Sequence, residues 1–167
     1  MCGITGFYAP QYAAIDKLRQ SLALIKHRGP DSSGIFHDVD HGVALGHARL
    51  AILDLSPMGH QPMRSPDGQV TIVFNGEIYN FNDLRVELEK QGCAFRGHSD
   101  TEVLLNLYLS VRNNPQGITQ LLRQINGIFA FAIWDADREE LLLARDTFGV
   151  KPLFYSASER GFAFASE

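Results

Sequence analysis

A thiol stands at position 2. Cys2 directly follows Met1 and is one of only two cysteines in the chain. A residue this small after the initiator favours removal of the methionine. The cleaved chain would carry a thiol and a free α-amine on the same residue. The thiol is a nucleophile, and the amine, titrating at roughly pH 7.7–8.0, is a base matched to cellular pH. Three further features have the chemistry to complete a site. Asn75-Gly76-Glu77 closes a β-branched, aromatic run. The Asn side-chain amide and the Gly backbone N–H are two donors of the kind that stabilise an oxyanion. The same dipeptide is also a frequent hairpin turn, although the residues after Glu77 read as helix rather than as a returning strand. Arg49 lies in an apolar strand and needs an anionic partner, either a structural carboxylate or that of a ligand. Asp100 opens a helix, where it is either an N-terminal helix acid or the anchor of an ammonium group. Taken together, Arg49 and Asp100 would form a charge template for a free amino acid.

These residues must be carried by a scaffold whose elements show in the periodicity. Gly3 to Ala9 reads as a short strand that starts at Cys2, and Ile15, Leu18, Leu22 and Ile25 recur at helical spacing over residues 13–26. His27-Arg28-Gly29-Pro30-Asp31 breaks that helix. Strands are predicted over 34–38, 43–53 and 70–75, the last ending at Asn75. A helix over 83–91 is capped by Asn80 or Asn82 and closed by Gly92. A short strand, 94–96, leads to Ser99-Asp100-Thr101-Glu102, a capping-box pattern that opens another helix. One more helix covers 118–125, and strands follow over 127–134, 141–145, 153–155 and 162–165. Strands in hairpin succession with two helix-rich blocks between them predict an α+β fold, two mainly antiparallel sheets stacked face to face with helices outside.

Composition narrows the function classes. The chain has 167 residues and a formal net charge of −4, with 45% hydrophobic and 20% charged residues, which suits one well-buried domain. No basic stripe suggests a nucleic-acid partner. No apolar run approaches the roughly 20 residues needed to cross a bilayer, and the N-terminus has no signal-peptide pattern, so no membrane partner and a cytoplasmic location are expected. Cys93 reads as a small buried residue rather than half of a disulfide framework. The six histidines lack metal-ligand spacing, and phosphate-binding glycine motifs are absent, so no metal and no nucleotide are expected in this domain.

In order, Cys2-Gly3-Ile4-Thr5-Gly6-Phe7, His27-Arg28-Gly29-Pro30-Asp31-Ser32-Ser33-Gly34, Gly46-His47-Ala48-Arg49-Leu50, Asn75-Gly76-Glu77-Ile78-Tyr79-Asn80 and Ser99-Asp100-Thr101-Glu102 resemble the glutaminase domain of class II glutamine amidotransferases. These are N-terminal-nucleophile hydrolases. The His-Arg-Gly-Pro-Asp form, together with Arg145-Asp146-Thr147-Phe148-Gly149-Val150-Lys151-Pro152-Leu153-Phe154-Tyr155 and Phe164-Ala165-Ser166-Glu167, is similar to the asparagine-synthetase branch. The resemblance covers essentially the whole chain and implies a four-layer αββα sandwich and hydrolysis of the L-glutamine side-chain amide to glutamate and ammonia. It implies catalytic roles for Cys2, Asn75 and Gly76. It implies substrate binding by Arg49, Leu50, Ala51, Ile52, Leu53, Asn75, Gly76, Glu77 and Asp100. No role for His27 or Arg28 is read from the sequence. Family members of this branch continue into a domain that binds ATP and Mg and uses the ammonia to make asparagine or a related amide. That domain is not in this chain, which is therefore expected to be an isolated N-terminal domain over residues 1–167, with an ATP-dependent synthetase domain or subunit as partner and a homodimer as the assembly the full-length relatives suggest. Two other readings stay open: a glutamine-binding or assembly domain that keeps Met1 and does not catalyse, and an N-terminal-nucleophile amidase for another amide.

Overall fold

In the computed structural model, residues 1–9, 15–52 and 56–167 are described. The elements run β1 (Gly3–Tyr8), α1 (Ile15–Leu24), a 3-10 turn at Lys26–Arg28, β2 (Ser32–Asp38), β3 (Val43–Arg49), a second 3-10 turn at Pro57–Gly59, β4 (Met63–Arg64) and β5 (Val70–Ile78). They continue with α2 (Phe81–Lys90), α3 (Asp100–Val111), α4 (Gly117–Gln124), β6 (Gly127–Asp135), β7 (Glu140–Arg145), β8 (Phe154–Ser158) and β9 (Gly161–Ala165). Strands in the order β2-β3-β1-β9-β8 form one sheet and β4-β5-β6-β7 the other, and every pairing is antiparallel.

The two-residue side-chain period decides which layer each strand residue joins. On β5, Val70, Ile72, Phe74 and Ile78 pack with α2, α3 and α4, whereas Val73 points the other way. On β6, Phe129, Phe131 and Ile133 take the helix side and Ala130, Ala132 and Trp134 the inner side. Ile4, Val43, Leu45 and Phe164 from the first sheet meet that inner side. Leu22 and Ile25 pack on Ala48 at the outer face of the first sheet. The layers are thus α1, sheet, sheet and α2–α4, the αββα sandwich. No described helix is long and apolar enough to cross a membrane.

Several boundaries differ from the sequence reading for local reasons. The part of the first predicted helix at residues 13–14 lies outside the described residues. β3 stops at Arg49, where pairing with Ser32 ends, because the following backbone turns to other partners: the Leu50 N–H to the Cys2 Sγ and the Ala51 N–H to Asp31 Oδ2. β5 does not end at Asn75 but runs to Ile78. The N-cap position of α2 is Asn80, yet its side chain makes no cap bond; it ties the loop after α4 instead, donating to the Gln124 carbonyl and accepting from the Asn126 N–H. Gly92 does close that helix, at φ 90°. Residues 94–96 form no strand. The Arg96 and Gly97 N–H groups go to the Glu102 carboxylate at 2.8 Å each, so Ser99 caps α3 as expected while Glu102 braces the preceding loop rather than the Ser99 N–H.

The helix layer is fastened to the second sheet at Asp135. This residue is fully buried and accepts from the Tyr108 hydroxyl at 2.9 Å and from Arg112 Nη1 at 3.1 Å. Asp135→Ala strands a buried hydroxyl and a guanidinium, so unfolding in urea should show a loss of about 3 kcal/mol; a change under about 0.5 kcal/mol would mean that the network does not hold α3 to the sheet.

Candidate active site

One cavity of about 180 Å³ is lined by Cys2, Arg49, Leu50, Ile52, Asn75, Gly76, Glu77 and Asp100, which are eight of the residues singled out in the sequence. Ala51 is not among its lining residues, and its N–H goes to Asp31 Oδ2. Leu53 lies outside the described residues. Met1, Gly59, Gln61, Phe74, Ser99, Thr101 and Lys151 also line it. Of these, Gln61 has a clear structural signature: it is buried, with its amide donating to Thr101 Oγ1 and its carbonyl accepting from the Phe74 N–H.

Cys2 sits at the head of β1, whose pairing with β3 begins at Gly3 opposite Ala48. Its carbonyl accepts from Arg28 Nε at 3.1 Å, so the His27-Arg28 turn fixes the strand start. The thiol is 3.5 Å from the Leu50 carbonyl and accepts the Leu50 N–H at 3.4 Å. Burial pushes the thiol pKa up, against the Leu50 bond and the charges of the N-terminal amine, Arg49 and Lys151, which act to lower it. The thiol is therefore protonated at neutral pH and needs a base to become a nucleophile. In this structure Met1 is in place, and the Cys2 nitrogen is a peptide nitrogen.

The open edge of β5 supplies a backbone donor. β4 pairs with β5 only as far as Ile72, and β6 covers the other edge. In an antiparallel ladder the backbone groups of alternate residues face opposite edges. The Phe74 N–H goes to Gln61 Oε1 at 2.6 Å and the Ile78 N–H to Asp100 Oδ2 at 3.0 Å, both away from β6. Gly76 lies midway between them and turns its N–H to the same open edge, at the cavity. Its cross-strand neighbour Phe129 likewise spends its backbone groups on Asp146, away from β5. The Asn75 side chain is 1% exposed, and its Nδ2 has no hydrogen-bond partner among the described residues. A buried amide donor left open is costly unless a ligand atom meets it. Gly76 is required for space rather than for a positive φ: an added Cβ would collide with the Ile128 carbonyl oxygen. Gly76→Ala should therefore push β5 from β6 and lower the thermal midpoint together with any activity; an unchanged midpoint would refute the steric argument.

The charged ends of the cavity differ in character. Arg49 reaches from the end of β3 and donates to the Ser56 carbonyl at 3.4 Å. Asp100, at the first turn of α3, is buried. Burial raises its pKa to about 6, with the nearby Glu77 charge adding to the rise and the Ile78 N–H opposing it. Lys151 is delivered by a loop wound on Asp146, whose carboxylate accepts the N–H groups of Phe129, Phe148, Val150 and Lys151.

The model of the glutamine amidotransferase domain matches residues 1–167. The chain belongs to the glutamine amidotransferase domain family. Asparagine synthetase [glutamine-hydrolyzing] 3 of Bacillus subtilis is 41% identical over 175 residues, covering 100% of this chain and 26% of that protein. Amidase chry2 of Gibberella zeae is 36% identical over 179 residues, again covering all of this chain and 26% of the relative. Among solved structures, the glutamine phosphoribosylpyrophosphate amidotransferase from B. subtilis has a TM-score of 0.74 and 25% identity, over 99% of this chain and 42% of that one. The fold of the amidotransferase domain is thus the N-terminal-nucleophile hydrolase sandwich, and the chain spans about a quarter of the length of these curated relatives.

Proposed function

We propose that this amidotransferase domain hydrolyses the side-chain amide of L-glutamine to glutamate and ammonia, and that the ammonia passes to an ATP-dependent synthetase domain that makes asparagine or a related amide. One observation carries the first half: a single cavity gathers a half-buried thiol, a buried amide donor with no partner among the described residues and, at separate points of its wall, a guanidinium and a buried carboxylate. In this reading Arg49 holds the α-carboxylate, and Asp100 with Glu77 beside it holds the α-ammonium. The side-chain amide then points toward Cys2.

After loss of Met1, the Cys2 α-amine takes the thiol proton as sulfur bonds to the amide carbon. The carbonyl oxygen becomes an oxyanion facing Asn75 Nδ2 and the Gly76 N–H. The ammonium returns its proton to the leaving nitrogen, the C–N bond breaks, and ammonia departs from a thioester. Water, deprotonated by the same amine, adds to the thioester, and its collapse releases glutamate and the thiol. The pocket residues themselves perform every step, so no cofactor is invoked in this domain; ATP and Mg belong to the proposed partner.

The partner half is supported by relatives named as glutamine-hydrolysing asparagine synthetases and about four times longer than this chain. A strip of exposed apolar residues also favours it. Phe148, Val150, Phe154 and Tyr155 are 91%, 51%, 63% and 72% exposed on the segment that brings Lys151 to the cavity. Such a strip beside the point where ammonia forms suits an ammonia-consuming domain. The test of the activity is direct. The processed chain, incubated with L-glutamine, should release glutamate and ammonia in equal amounts, and D-glutamine or N-acetylated glutamine should be poor substrates because each misplaces or removes the ammonium. Cleavage of an acylated amide with L-glutamine inert would replace this reading by that of a different amidase.

A further inference from the structure

The peptide just before Asn75 is held by a strand on one edge only, that of β6. β4 has already left β5 at Ile72, so the Phe74 backbone groups on the open edge depend on side chains. Gln61 takes the N–H. The carbonyl is met by His47 Nε2 at 3.0 Å, reaching across from β3 in the other sheet. A carbonyl oxygen only accepts, so Nε2 carries the hydrogen and His47 is the Nε2–H tautomer. His47 is fully buried, and its Nδ1 has no partner among the described residues, so a second proton there would meet no acceptor. Burial, with help from His60 and Arg49, lowers its pKa to about 4. The imidazole is therefore a neutral donor throughout the working pH range. In register, His47 pairs with Ile4 on β1 and lies two residues before Arg49 on β3. It does not line the cavity, yet it ties the strands that carry Cys2 and Arg49 to the strand that carries the two donors.

We propose that His47 is a positioning residue of the oxyanion hole: by donating to the Phe74 carbonyl it fixes the register and tilt of β5, so that the Asn75 amide and the Gly76 N–H aim at the point where the tetrahedral oxygen forms. This rests on the glutamine-hydrolysis reading above. A donor displaced by about 1 Å can cost about 10²-fold in rate, and the loss falls on the transition state, because the α-carboxylate and α-ammonium contacts lie elsewhere.

The experiment compares wild-type protein, His47→Leu, His47→Gln and His47→Asn, all processed at Met1. Glutamine kinetics are measured alongside two equilibrium affinities. One is for glutamate, which reads the charge clamps alone. The other is for glutamate γ-semialdehyde, whose carbonyl carbon adds the Cys2 sulfur while the thiol proton goes to the new hydroxyl, placing an oxygen at the donor site with no leaving group. His47→Leu should lower kcat about 10- to 100-fold, shift KM less than about threefold, weaken the aldehyde in step with kcat and leave glutamate binding unchanged. His47→Gln, long enough to donate to Phe74, should recover most of the loss, and His47→Asn, one methylene shorter, should not. Equal falls in aldehyde and glutamate affinity, or a folded His47→Leu with wild-type kcat, would overturn the proposal. If His47→Leu does not fold, the Gln and Asn pair decides, equal kcat values again overturning it. A wild-type protein inert toward glutamine would instead sink the activity itself.

Discussion

A chain that keeps Met1 will be nearly inert toward glutamine, and cutting that one peptide bond will switch the site on. Burial holds the Cys2 thiol pKa above its ordinary value, so thiolate is scarce at neutral pH and the reaction depends on a base next to the sulfur. With Met1 attached, the Cys2 nitrogen is an amide and cannot accept a proton, and Met1 itself lines the cavity. Loss of a positioned base costs about 10²–10⁴-fold. The comparison is between processed protein and a form with a short uncleavable extension before Cys2, each checked by intact mass. Processed Cys2→Ala should fall further, by at least about 10⁴-fold in kcat/KM, since it lacks the nucleophile altogether. Both changes should leave the unfolding midpoint close to wild type, because β1 hydrogen-bonds from Gly3 onward. Full activity with the extension in place would remove the α-amine from the mechanism. Full activity in Cys2→Ala would remove the thiol.

The sequence exposed the charged and nucleophilic members of this cavity because each is odd where it stands: an arginine in an apolar strand, a cysteine at position 2, an Asn-Gly pair not followed by a strand. It misplaced the end of β5, and the reason is instructive. Asn75-Gly76 reads as a terminus, since both residues disfavour strands, yet the strand continues because Gly76 fits a gap that any Cβ would close and because β6 pairs with it throughout. The Gly76 N–H faces the unpaired edge of a continuing strand, and the Asn75 amide projects from the face of that strand. Gln61, Thr101 and Lys151 left no trace in periodicity. They reach the cavity through tertiary bonds, Gln61 to Phe74 and Thr101, Lys151 through the Asp146 loop. Of the Leu50–Leu53 backbone that the resemblance implied for substrate binding, Leu50 and Ile52 line the cavity while the Ala51 N–H goes to Asp31.

Asp100→Asn should separate recognition from chemistry. Among the described residues no ion pair meets the buried Asp100 carboxylate, and its pKa is raised to about 6. In the proposed complex the substrate ammonium supplies the opposite charge. Removing one partner of such a buried pair costs about 2–5 kcal/mol, so KM for glutamine should rise on the order of 10²–10³-fold while kcat falls much less. The pH dependence follows from the sign of the shift. Below pH 6 the carboxyl is protonated and the ammonium loses its counter-charge, so affinity should drop about tenfold per pH unit. Calorimetric binding of glutamine to Cys2→Ala, which cannot turn over, reads this directly. The Cys2→Ala, Asp100→Asn double variant should bind weakly with no such slope. Stability of the empty protein runs the other way. An Asp whose folded pKa lies above its unfolded value contributes a penalty that is absent below about pH 4, grows through pH 4–6 and is complete above. The slope should total about 3 kcal/mol in wild type and be missing in Asp100→Asn, which can still accept the Ile78 N–H through its amide oxygen. A glutamine affinity that is flat from pH 5 to 8 would mean that Asp100 does not hold the ammonium.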